Sequence, residues 1–248
     1  MGSPYVNLLA FPCAGGSATM YLRWRWLLPQ WIRLVPVELP GRGVRFNEQP
    51  IECLDELVTR ICDEHAPVLG NSCALWGHSM GGLLAYAVMQ RLRAQGRRLP
   101  QALFVSATRG PSIHDEQRFA PRSNAELIAD LRKYGGTPED VFDSPELLRL
   151  TLDTLRSDYR VCATFRYASP PPLPVPIAVL AGRDDEIAAA EVEAWQCETS
   201  HPVPVRWFEG GHFFIREHER AVARAIESEL QKAQGGCTVL QHSMAVLV

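Results

Sequence analysis

Cys73-Ala74-Leu75-Trp76-Gly77-His78-Ser79-Met80-Gly81-Gly82, followed by Leu83, Leu84, Tyr86, Ala87 and Val88, is the stretch that decides the fold. An apolar run of strand length leads into Gly-x-Ser-x-Gly, and a helix with an apolar face follows. A strand that turns this sharply into a helix needs small residues at Gly77 and Gly81, where backbones pass closely. The turn holds Ser79 in a strained conformation with its hydroxyl exposed. The helix behind it aims free N–H groups and the positive end of its dipole at any oxyanion forming there. An ordinary glycine-rich turn can carry the same five letters, so the weight rests on the flanking strand and helix. Ser79 is the candidate nucleophile, and His78 beside it reads as packing in the elbow.

Outward from this elbow, apolar stretches of strand length alternate with helical patterns. This predicts an α/β fold with a mostly parallel sheet. The strand candidates are Val6–Phe11, Arg33–Leu39, Cys73–Trp76, Ala102–Ser106, Ile177–Ala181 and Val203–Phe208, the last suited to an edge by Pro204. Helices are expected near Leu54–Leu69, Met80–Gln95, Glu191–Thr199 and Glu217–Lys232. From about 111 to 172 there is helical signal and no strand. Ser123-Asn124-Ala125-Glu126 is a capping-box pattern closed by Gly135-Gly136, and Ser144-Pro145 opens a second helix striped by Leu148, Leu152, Leu155, Tyr159 and Cys162. By pattern alone this insertion is either a pair of core helices or a helical lid. A tail over 233–248, opening at Gly235-Gly236, is expected to be frayed or docked on the body.

A serine nucleophile needs a base and a group that orients it. In an α/β hydrolase these follow in the order serine, acid, histidine. The strand Ile177–Ala181 runs into Gly182-Arg183-Asp184-Asp185-Glu186, and the last strand runs into Gly210-Gly211-His212 just before the final helix. His212 is the candidate base. Of the other histidines, His218 falls in the last helix, and His65, His114, His201 and His242 lack this context. Asp185 is the preferred acid, with Asp184 as the alternative. Met80 N–H is expected to be one oxyanion donor, and Ala14 N–H in the loop Pro12–Ser17 the other. Cys13 in that loop is a rival nucleophile with no base of its own, and reads as loop packing.

Composition bounds the rest. The chain has 248 residues, enough for one sizeable domain, and 46% of them are hydrophobic against 21% charged. A net charge of −3 argues against a general nucleic-acid or membrane-surface binder. No apolar run approaches the roughly 18 residues that span a bilayer. The seven cysteines form no C-x-x-C pair and no signal peptide is evident, so a reduced, cytoplasmic setting is expected. Cys73 and Cys162 read as small core residues. No metal-ligand cluster of the C-x-x-C or H-E-x-x-H kind is present, and no cofactor or metal is called for.

Several motifs together resemble the type II thioesterases, stand-alone enzymes that act beside polyketide synthases, non-ribosomal peptide synthetases and some fatty acid synthases. They are Phe11-Pro12-Cys13-Ala14-Gly15-Gly16-Ser17-Ala18, Leu39-Pro40-Gly41-Arg42-Gly43, Gly77-His78-Ser79-Met80-Gly81-Gly82, Asp158-Tyr159-Arg160 and Gly210-Gly211-His212-Phe213. The resemblance covers about residues 5–232. It implies an α/β-hydrolase core with a helical lid where the 111–172 insertion falls. It also implies hydrolysis of acyl groups from the phosphopantetheine arm of a carrier protein, by a monomer using Ser79, Asp185, His212 and the Ala14 and Met80 amides. Two departures stand out: many relatives have His at the Cys13 position, and proline is frequent where Glu186 stands. Tyr21-Leu22-Arg23-Trp24-Arg25-Trp26 reads as a helix packing tryptophan on the sheet, with carrier docking the less favoured alternative. Two rival functions fit the same residues: a carboxylesterase acting on small oxygen esters, and a catalytically silent hydrolase-fold protein that only binds a partner.

Overall fold

The computed structural model describes residues 5–244, with side chains described through residue 234. Its strands are β1 (Val6–Phe11), β2 (Ile32–Pro36), β3 (Cys73–His78), β4 (Leu103–Ser106), β5 (Ile177–Gly182) and β6 (Val205–Phe208). They form one sheet in the order β2-β1-β3-β4-β5-β6, with every neighbouring pair parallel. The expected edge strand is indeed at an edge. The helices are α1 (Leu54–Glu64), α2 (Ala66–Leu69), α3 (Met80–Ala94), α4 (Asn124–Tyr134), α5 (Glu139–Asp143), α6 (Pro145–Ala163), α7 (Ala189–Glu193), α8 (Phe214–Glu217) and α9 (Glu219–Met244).

Both faces of the sheet are covered, which explains why β1 and β3 read as unbroken apolar runs. Alternate residues serve opposite faces. Leu9, Phe11 and Leu75 join a core with α1, α3 and the end of α6. Leu8, Ala10, Ala74 and Trp76 join the other, with Tyr21, Trp24 and α9. After β2 the chain crosses back past β1 to place β3 on its other side. The loops that leave the carboxyl ends of β1 and β3 therefore diverge, and a crevice opens between them. That crevice is where the Ala14 loop and the Ser79 turn meet.

Several boundaries differ from the sequence expectation. β2 ends at Pro36, which has no N–H for the ladder, so Val37 and Leu39 are buried as loop residues. The helix expected over Leu54–Leu69 divides at His65, because Pro67 cannot donate to the preceding turn. The segment Glu191–Thr199 divides into α7 and a 3₁₀ turn, Ala194–Glu198, which carries the buried Trp195 to donate its indole N–H to Thr108 O at 3.0 Å. The stretch Ala18–Trp26 is also 3₁₀: Tyr21 and Trp24 are buried, whereas Trp26 is 89% exposed. α9 continues through Gly235 and Gly236, since a glycine costs a helix only about 1 kcal/mol. Residues 245–248 of the expected tail lie outside the described residues.

Candidate active site

Ser79 joins β3 to α3 with φ 55° and ψ −120°. For a residue with a Cβ this backbone is strained by about 1–3 kcal/mol, and surrounding packing must hold it. The glycines make the turn possible. A Cβ on Gly77 would run into the Gly81 carbonyl, and a Cβ on Gly81 would run into the Phe11 carbonyl. Ser79 N–H donates to Ser106 O at 2.7 Å, tying the turn to β4.

Two later loops bring the partners. His212, in the loop after β6, has Nε2 2.9 Å from Ser79 Oγ, and its Nδ1 lies 2.9 Å from Asp185 Oδ2 in the loop after β5. A carboxylate only accepts, so Nδ1 carries the ring proton and Nε2 is left to accept from the serine hydroxyl. The Asp185 side chain is 2% exposed and that of His212 12%. Asp184 points elsewhere: its Oδ2 accepts from Gly210 N–H at 3.2 Å. Of the two adjacent aspartates, only Asp185 meets the imidazole.

Three amides beside Ala14 are held by hydrogen bonds. Gly15 N–H donates to Asp158 Oδ2, Gly16 N–H to Cys13 O, and Ala18 N–H to Glu38 Oε1. Ala14 N–H and Met80 N–H have no hydrogen-bond partner among the described residues. Cys13 is buried, and burial pushes its thiol up to about 12. Burial thus favours the thiol over the thiolate, which is the nucleophilic form. His78 is buried, with Nδ1 3.0 Å from Ser106 Oγ, and desolvation holds its pKa well below the usual imidazole value. It packs beneath the His212 ring, 5.3 Å between centroids, as a neutral filler.

The family model for thioesterase domains matches residues 6–230, nearly the whole described chain. The chain belongs to the thioesterase family. Among its relatives are linear gramicidin dehydrogenase LgrE of Brevibacillus parabrevis, 32% identical over 91% of this chain and 88% of the relative, and thioesterase PikA5 of Streptomyces venezuelae, 31% identical over 93% and 83%. The dehydrogenase name stays with the first of these proteins. Among solved structures, the type II thioesterase BorB from the borrelidin biosynthetic cluster is 36% identical, covers 92% of this chain and 94% of its own, and superposes with a TM-score of 0.81. The fold is the α/β-hydrolase fold of these thioesterases.

In this thioesterase, Ser79 and His212 open on a cavity of about 530 Å³ between the sheet edge and the 111–172 insertion. The insertion contains α4, α5 and α6 and no strand, and the capping box at Ser123 and Glu126 is formed. Its residues Leu131, Tyr134, Val141, Leu155 and Tyr159 wall the cavity. Three contributors escaped the sequence reading. The Tyr134 ring lies tilted over the His212 ring with centroids 4.8 Å apart, and the Gly136 backbone lies against the Phe213 ring. Arg216 lines the cavity with its guanidinium 4.9 Å from the Phe213 ring centre. No local pattern announces a contact between residues this far apart in the chain. Glu186, the departure from the family's proline, bonds Lys133 and the Tyr134 hydroxyl, joining the end of α4 to the loop that holds Asp185.

Proposed function

We propose that this thioesterase hydrolyses acyl groups from the phosphopantetheine arm of a carrier protein by way of an acyl-Ser79 intermediate, acting as a monomer in the cytoplasm. The observation that carries the reading is the hydrogen-bonded chain Ser79, His212, Asp185 opening on a 530 Å³ cavity. Ser79 Oγ attacks the acyl carbon while His212 Nε2 takes its proton, and Asp185 steadies the imidazolium. The carbonyl oxygen, now negative, accepts from the Ala14 and Met80 amides. Collapse breaks the C–S bond, and the His212 imidazolium gives its proton to the departing thiolate, which returns His212 to the neutral form. A thiol with a pKa near 8.5 leaves readily, so little help from a general acid is needed. Water, deprotonated by His212, then attacks the ester and releases the acid and Ser79.

A role in clearing or releasing chains on a polyketide or peptide synthase draws support from the names of its relatives. With a net charge of −3, long-range attraction to an acidic carrier is absent, so recognition rests on a local patch near the cavity mouth that includes Arg118 and Arg216. The test uses one acyl chain on a carrier protein, on coenzyme A and on a simple thiol. The expected result is the highest kcat/KM for the carrier-bound form, falling when the carrier surface is altered. Equal efficiencies on all three would remove the carrier from the proposal and leave a general acyl-thioester hydrolase.

A further inference from the structure

One buried ion pair stands next to the reacting atoms without belonging to them. Asp158, on α6, is 1% exposed and Arg42, in the loop after β2, is 8% exposed. Their contact is bidentate, with Arg42 Nη1 to Asp158 Oδ2 at 2.7 Å and Nη2 to Oδ1 at 2.6 Å. Both also grip the Ala14 loop. Asp158 Oδ2 accepts from Gly15 N–H at 2.8 Å, and Arg42 Nη1 donates to Gly16 O at 3.0 Å. The pair therefore joins three segments far apart in sequence: the loop after β1, the loop after β2 and the insertion.

A buried ion pair is weak evidence for stability, because desolvating two charges costs about as much as their attraction returns. Its geometry is the informative part. Asp158 takes up the amide directly after Ala14, so the Gly15 N–H cannot turn toward the crevice and the Ala14–Gly15 peptide is fixed in orientation. Arg42 holds the carbonyl of Gly16, whose own N–H donates to Cys13 O, the carbonyl of the peptide that carries Ala14 N–H. Among these tied groups, Ala14 N–H has no hydrogen-bond partner among the described residues. An oxyanion donor stabilises the transition state only if it is in place beforehand, since reorienting it during the reaction would consume the gain.

We infer that Asp158 and Arg42 are positioning residues that preset the Ala14 amide as an oxyanion donor, so that the insertion supplies part of the oxyanion hole through Asp158. Neither touches substrate. The inference rests on the proposed roles of Ser79 and Ala14, and it places the effect in kcat and not in substrate affinity.

The test compares two double variants, each free of an unpaired buried charge. Arg42→Met/Asp158→Leu replaces the pair by apolar groups of similar size and removes the acceptor for Gly15 N–H. Arg42→Met/Asp158→Asn keeps an oxygen acceptor there. Rates are expressed per site labelled by a fluorophosphonate, which discounts misfolded protein. The leucine form is expected to lose about 10² in kcat with KM within about threefold, and to label more slowly as well. The asparagine form is expected to recover part of that rate, with the remaining deficit reporting the lost Arg42 hold on Gly16 O. Wild-type kcat in the leucine form would overturn the inference. If the leucine form does not fold, the asparagine form decides: a loss of about 10² despite the retained acceptor would equally overturn it. Wild-type enzyme that turns over without labelling Ser79 would instead sink the nucleophile assignment beneath it.

Discussion

Asp184 and Asp185 are adjacent in the chain and diverge in the fold, one toward the Gly210 amide and the other toward His212. That divergence makes a sharp prediction. Asp185→Asn should lower kcat by about 10³ to 10⁴, since an amide at that position favours the wrong imidazole tautomer. Asp184→Asn should cost far less, because the amide oxygen can still accept from Gly210 N–H. Steady-state kinetics on the two variants checks this, and the reverse ranking would move the acid to Asp184. At this scale the sequence was most legible where chemistry constrains the local backbone. Ser79 between its glycines and His212 after Gly210-Gly211 could be picked out from order and context alone. The choice between two neighbouring aspartates could not, because it depends on which way a loop turns after β5. Tyr134 and Gly136 were invisible for the same reason: what matters about them is a contact across the fold, with His212 and Phe213.

Among the elements, α6 is the one whose environment changes along its length. Leu152 and Leu155 pack with Leu127 of α4 in a small cluster of their own, while Val161 and Cys162 belong to the main core. The second half of α6 thus packs as a core helix, while its first half packs with α4 apart from the main core. We propose that α4 and α5 form the mobile lid and that the second half of α6 is its fixed base. Few buried contacts make a segment open at low free-energy cost. Leu127 is the buried residue of α4, and α5 has none. Hydrogen exchange should therefore show residues 124–143 opening more readily than β3, with residues 155–162 protected nearly as well as the sheet. Protection of α4 equal to that of β3 would make it a core helix and remove the lid. The helical stripe was readable from sequence because it is periodic. Which of its turns meets the sheet was not, because that depends on where the insertion docks.

For the whole molecule, histidines removed from solvent set the response to acid. Burial lowers the pKa of His78 far below the usual imidazole value, and desolvation also lowers those of the partly buried His65 and His114. Above about pH 6.5 these imidazoles are neutral in both folded and unfolded chains, so no penalty arises. Below that pH the unfolded chain gains protons that the folded chain refuses, and stability falls as pH falls, by up to about 1.4 kcal/mol per pH unit for His78. The carboxylates held below 4.5 by ion pairs, Glu64, Glu186 and Glu191, contribute their loss at lower pH. Melting temperature should therefore drop between pH 6.5 and 5.5, and the drop should be smaller in His78→Gln. An unchanged slope in that variant would show that His78 accepts a proton in the folded state. The central claim, that one serine carries the acyl group, is tested most directly by intact-mass spectrometry of enzyme quenched during turnover of an acyl thioester. A transient mass increase of one acyl group, mapped to Ser79, is predicted for the wild type. Ser79→Ala, with its fold intact, should show neither adduct nor turnover. An acyl adduct that persists in Ser79→Ala, on Cys13 or elsewhere, would contradict the account.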